Sequence, residues 1–227
     1  VESGSYPYFG LVGKAVRVEA IHPGGVVISG SVRIQNLPQG KVAGLSGLVI
    51  DPGVTYLETA LVVDGCDGSV RVDRCSVPGR QETPGVRIHG CRDVSLTRCS
   101  FRSTTNYNLQ HVGGDAIAIH DSTVNLSDCS GFGGTATTDS GWGGHGLLAM
   151  DSDVSINGGN FHGGSGHEGS GGGIGGNCTD GGDGGAGVAA LGQSIVSLRD
   201  VSLVPGSPGF GGAVCASGEF LGPLYVG

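Results

Sequence analysis

A line of sequence written twice constrains this chain more than any other feature. GGDAIAIHDSTVNLSDCSGFGG runs over 113–134, and GGHGLLAMDSDVSINGGNFHGG over 143–164. Three more stretches align with them: LVVDGCDGSVRVDRCSV at 61–77, VRIHGCRDVSLTRCSF at 86–101 and VAALGQSIVSLRDVSL at 188–203. Each unit holds two short runs of alternating apolar residues, a small residue or Cys between them, and a third piece. The third pieces close at Val77, Phe101, Phe132, Phe161 and Leu203. Alternation of period two is the mark of a strand with one buried face. The marker positions Val70, Val94, Val124, Val154 and Val196 lie 24, 30, 30 and 42 residues apart. Strand length stays fixed while the connections grow, which is how a solenoid varies.

The fold class predicted from this pattern is all-β: a right-handed, single-stranded parallel β-helix of about seven rungs with long loops on one edge. Rungs spaced by about 4.8 Å stack like residues into ladders. One ladder is Leu61, Val86, Ile117, Leu147 and Val188. Another is Val72, Leu96, Leu126, Ile156 and Leu198, and a third is Cys75, Cys99, Cys129, Gly159 and Val201. A narrow interior suits slim side chains, in keeping with 5% aromatics beside 48 glycines. The whole of 1–227 reads as one domain, with N-terminal rungs over 1–60, regular rungs over 61–203 and a tail over 204–227 that folds on the flank. Before Leu61, AVRVEA, GVVISGSVRIQ and VAGLSGLVI read as two more rungs. The opening VESGSYPYFGLVGKAVRV carries no signal peptide and reads as the interior of a domain. The ladders resemble the pectin-lyase-like β-helix superfamily over most of the chain, an architecture that hosts many functions.

Charge limits the partners. The net charge is −8 and lysine occurs only at 14 and 41. Nucleic acid, which demands clustered cations, is not expected. Nor is membrane insertion, because no apolar run approaches the ~20 residues of a membrane helix. The five laddered cysteines read as buried free thiols that fill space. Cys178 and Cys215 lie outside the ladders and form the candidate disulfide if the chain is extracellular.

Chemistry, if present, belongs to the loop edge at 78–85, 102–116, 133–146 and 162–187. Asp115 and His145 each stand two residues before a strand and fall on adjacent rungs. GGDAIAI and GGHGLLA are similar to segments of the polygalacturonases, glycosidases that read N-T-D, G-D-D, G-H-G and R-I-K on successive rungs. Gly144, His145 and Gly146 match G-H-G, and Asp115 matches one aspartate. Ala116 replaces the second, TPGV stands for N-T-D and GVAAL for R-I-K. The resemblance implies a catalytic Asp115 supported by His145, whereas canonical glycoside hydrolysis takes two carboxylates. The other reading of both residues is a loop-end hydrogen bond that caps a strand start. Trp142, His111 and Asp139 are candidate binding residues. GGIGGNCTDGGDGGAG resembles half of a calcium-binding glycine turn, with Asp180 and Asp183 as candidate Ca²⁺ ligands; no other cofactor is expected. His89 and His120 point outward and stack.

Outward residues of the first strands turn apolar toward the C-terminal half, through Leu148, Met150 and Leu191. Such a patch asks for a cover: the tail, the Gly-rich loop or a neighbouring subunit. No capping helix is visible at either end, so either caps lie outside this sequence or the ends stack head to tail. The residues therefore fit a non-enzymatic structural or adhesive β-helix, extracellular or at a cell surface, that self-associates through its ends or flank. A polysaccharide-active hydrolase or lyase and a carbohydrate-binding β-helix are the alternatives.

Overall fold

The computed structural model describes residues 1–53, 59–78, 83–103, 113–137, 141–169 and 181–209. These residues form a parallel β-solenoid without helices, its strands joined in one sheet. The first face stacks 9–12, 32–35, Leu61–Asp64, Val86–His89, Ile117–His120, Leu147–Met150 and Val188–Leu191. The second stacks Arg17–Glu19, Val42–Ser46, Ser69–Asp73, Asp93–Thr97, 123–127, 153–157 and Ile195–Arg199. The third adds 26–29, Leu48–Ile50, Ser76–Val77, Ser100–Arg102, 130–132, 160–162 and Ser202–Val204. Seven turns follow from these stacks, and 4–7 supplies one strand of a turn before them. The right hand expected of the coil is the one strand twist imposes on parallel crossovers.

Register follows the alternation. Leu61, Val86, Ile117, Leu147 and Val188 pair in succession, as do Val72, Leu96, Leu126, Ile156 and Leu198. The pleat admits no other answer, because a slip of one residue turns the buried face to water. One assignment shifts. Phe101 pairs with Gly131, and Gly131 in turn with Phe161, while Phe132 falls one place later, opposite Arg102 and His162. A side chain at Gly131 would meet Phe161 Cδ1 at 2.9 Å and Gly146 O at 2.5 Å. The glycine therefore takes the inward place, between two phenyl rings that are 0% exposed. Phe132 turns outward, stacks on His162 with centroids 4.9 Å apart and carries the Arg102 guanidinium 4.5 Å above it.

Corners have a common grammar. A residue at positive φ turns the chain and a small buried residue follows: Gly65 then Cys66, Gly90 then Cys91, Asp121 then Ser122, Asp151 then Ser152. The left-handed region favours Gly and Asp here; Arg74 and Arg98, at φ 49° and 51°, occupy it before Cys75 and Cys99. The small residue donates to the carbonyl two places back. Cys91 Sγ reaches His89 O at 3.2 Å, and Ser122 Oγ reaches His120 O at 2.6 Å. Ser122 and Ser152 also accept the N–H of Cys91 and Ser122 on the turn before, at 3.0 and 3.1 Å. Cysteine and serine are thus interchangeable corner pieces. Cys66, Cys75, Cys91, Cys99 and Cys129 are buried free thiols, and burial pushes Cys75 up to about 11. Cys178 and Cys215 lie outside the described residues.

Outside the second face, ion pairs tie neighbouring turns. Arg71 makes two 2.7 Å bonds to Asp93, and those bonds hold the Asp93 carboxyl below its ordinary range. A lowered carboxylate pKa adds stability above the ordinary value of 3.8 and loses it as pH falls through the folded value. Arg71→Met is therefore expected to destabilise the fold slightly at neutral pH and to leave it unchanged once Asp93 is protonated. A urea titration at both ends of that range checks this; equal losses at both would remove the ion pair as the cause.

Candidate functional site

The long connections are not independent loops where they are described. Each outgoing limb leaves the third face and each incoming limb rejoins the first, and both bond with a period of three. On incoming limbs, the N–H groups of Gly113, Ala116, Gly143 and Gly146 donate to Trp142, His145, Asp183 and Ala186 of the next turn. On outgoing limbs, Gly133, Ala136, Gly163 and Gly166 donate to His162, Ser165, Val204 and Ser207. Three residues per repeat with no internal bond is the geometry of the polyproline-II helix, not of a strand.

A column then joins the two kinds of limb. Gly134 N donates to Gly114 O, Gly144 to Gly134, Gly164 to Gly144, Gly185 to Gly164 and Gly206 to Gly185, all at 2.8 Å. Side chains have no room in it. A Cβ at Gly143 would lie 1.8 Å from Gly164 O, and one at Gly164 1.9 Å from Gly134 O. The repeated X-Gly-Gly triplet follows: two positions in three face backbone, and the third is free to carry chemistry.

Asp115, Trp142, His145 and Asp183 are all third positions on incoming limbs. The 30-residue offset between Ile117 and Leu147 sets Asp115 beside His145, and the 41-residue offset to Val188 sets Asp183 beside Trp142. The four line one groove of about 620 Å³ with Leu148 and Pro84. Trp142 is 60% exposed at its rim. Asp115 Oδ1 accepts the His145 backbone N–H at 2.8 Å, and His145 Nδ1 accepts the Ala186 N–H at 2.9 Å. An Nδ1 that accepts assigns the ring proton to Nε2. Each side chain thus caps the limb of the turn after it, the strand-cap reading of the two residues.

Burial raises the Asp115 carboxyl above its ordinary value of 3.8, against the lowering effect of the bond from the His145 backbone N–H. A raised carboxyl favours the neutral form in the fold. Its contribution is complete below the ordinary value and is lost as pH rises through the folded one. Asp115→Asn keeps the acceptor for His145 and removes the ionisation. The variant is expected to gain stability relative to the wild type as pH rises across that interval. A constant difference over that pH range would contradict the assignment.

His111, Asp139 and Asp180 lie outside the described residues. Among the described residues no group of three His, Cys, Asp or Glu side chains is placed to hold a metal ion. Asp183 stands beside Trp142 in the groove, and His89 Nδ1 is 2.9 Å from Asp64 Oδ1. Leu148 is half-buried on the groove side, Met150 is half-buried and Leu191 is 49% exposed. Sequence reasoning missed the union of Asp183 with Trp142 and the Arg102–Phe132–His162 stack. The signal for the former was the triplet period in WGGHG and DGGAG. No protein-family model matches the chain, and no curated protein matches it.

Proposed function

We propose that this chain is a non-catalytic adhesive solenoid of the extracellular space or cell surface that holds a saccharide in the groove beneath Trp142. The supporting observation is the use made of Asp115 and His145. One atom of each side chain, Asp115 Oδ1 and His145 Nδ1, is hydrogen-bonded to backbone of the next turn and braces the wall. What faces solvent is an indole at the rim, the Asp183 carboxylate and an apolar Leu148, a set suited to a sugar ring with apolar faces and a polar edge. Trp142→Ala is expected to weaken saccharide or cell-surface binding about tenfold, from the loss of ~1.4 kcal/mol of ring contact. Its fold stability should change by no more than about 0.5 kcal/mol, the usual range for exposed side chains. Binding that survives the substitution unchanged would remove the groove from the proposal.

A polysaccharide hydrolase or lyase is the second reading, favoured by the raised Asp115 carboxyl and by Asp183 in the same groove. Release of reducing or unsaturated ends by the wild type but not by Asp115→Asn would establish it. A structural role by end-to-end stacking draws on the last described turn, where Ile195, Leu198 and Leu203 are 66%, 46% and 43% exposed. Fibres in negative-stain electron micrographs support that role, and monodisperse single copies rule it out.

A further inference from the structure

We infer that the groove selects a saccharide free of anionic groups, and so rejects the uronates implied by the polygalacturonase resemblance. This rests on the proposed saccharide reading and narrows its ligand. Among the described lining residues the ionisable groups are Asp115, His145 and Asp183, with no lysine or arginine. A uronate carboxylate docked on Trp142 meets the exposed Asp183 carboxylate one turn away, and no lysine or arginine among the described lining residues offsets it. The chain's net charge of −8 repels a polyanion at longer range as well.

The hydrogen-bonding capacity points the same way. Asp183 offers acceptor oxygens, and His145 offers its Nε2–H as a donor once Nδ1 is committed to Ala186. Hydroxyl groups satisfy both, and a protonated sugar amine satisfies the carboxylate more strongly. Trp142 and Leu148 receive the C–H face of the ring. The ligand is thus a hydroxyl-rich or amine-bearing sugar.

The experiment uses a property of the composition: Trp142 is the chain's only tryptophan, so its fluorescence reports this groove alone. The full chain is titrated with chitin oligosaccharides, chitosan oligosaccharides and oligogalacturonates of equal length at low ionic strength. The neutral or the cationic series is expected to shift the emission, and these two arms distinguish hydroxyl from ammonium recognition. Oligogalacturonate is expected to bind at least tenfold more weakly. Asp183→Lys, at an exposed position, should narrow or reverse that gap. Oligogalacturonate binding as tight as the others would overturn the selectivity and leave the groove in place. If no series moves the emission, the saccharide reading itself fails and the selectivity with it.

Discussion

Gly164→Val is expected to lower stability by about 3–6 kcal/mol. The introduced Cβ would lie 1.9 Å from Gly134 O and 2.4 Å from its carbonyl carbon. Both are backbone atoms inside a packed stack and neither can swing aside. Overfilling a packed interior costs ~1–3 kcal/mol by itself. Separation of the limbs also breaks the 2.8 Å bonds from Gly164 N to Gly144 O and from Gly185 N to Gly164 O. Each buried backbone group left without a partner costs ~1–3 kcal/mol. In a domain of this size the midpoint should fall by about 10 °C or more. Thr135→Ala is the companion measurement, at an exposed third position of the same layer, and should lie within about 0.5 kcal/mol of the wild type. Equal small effects at 164 and 135 would mean that the column does not form in solution.

Phe161→Ala is expected to cost about 3–5 kcal/mol, the range for deletion of a buried ring. Phe161 is 0% exposed and stands in the row Val77, Phe101, Gly131, Phe161 and Leu203. Its neighbour Gly131 contributes no side chain, so nothing on that side can move in to fill the space. Gly131→Ala does not repair the loss, because its Cβ would still meet Gly146 O at 2.5 Å. Urea unfolding should show a lower midpoint with an unchanged slope, the mark of lost stability in an unaltered native state. A cost below about 1 kcal/mol would place the ring outside the core and undo the register around Gly131.

The solenoid was legible wherever the pleat enforced it. Ile117 and Leu147 can pair in one way only if both are to stay dry. Phe132 escaped this logic because Ser-Gly-Phe offers two apolar-compatible alignments, and only the crowding at Gly131 chooses between them. The N-terminal turns were harder for another reason. Strands Gly4–Val12 and Val26–Gln35 each run on from the third face to the first. The corner after each keeps its left-handed residue, Gly13 or Asn36, but Lys14 or Leu37 follows where later turns place a small residue. The site divided along similar lines. Asp115 and His145 were found through the repeat, and the alternative that they cap strand starts is the one their hydrogen bonds favour. Asp183 was placed with Asp180 as a calcium ligand because its run is rich in glycine. The period of three, which sets Asp183 against Trp142, is masked in the sequence by the stronger period of two in the flanking strands.

The glycine column also has mechanical meaning. Its bonds, like those of the sheet, run along the coil axis from one turn to the next. Tension applied end to end loads them in series, so the molecule peels one turn at a time and yields at low force. A pull on the groove, sideways and along the limbs, shears several of them at once. An adhesive contact beneath Trp142 would thus draw on the stiff direction of the molecule, and the coil ends would be where it gives.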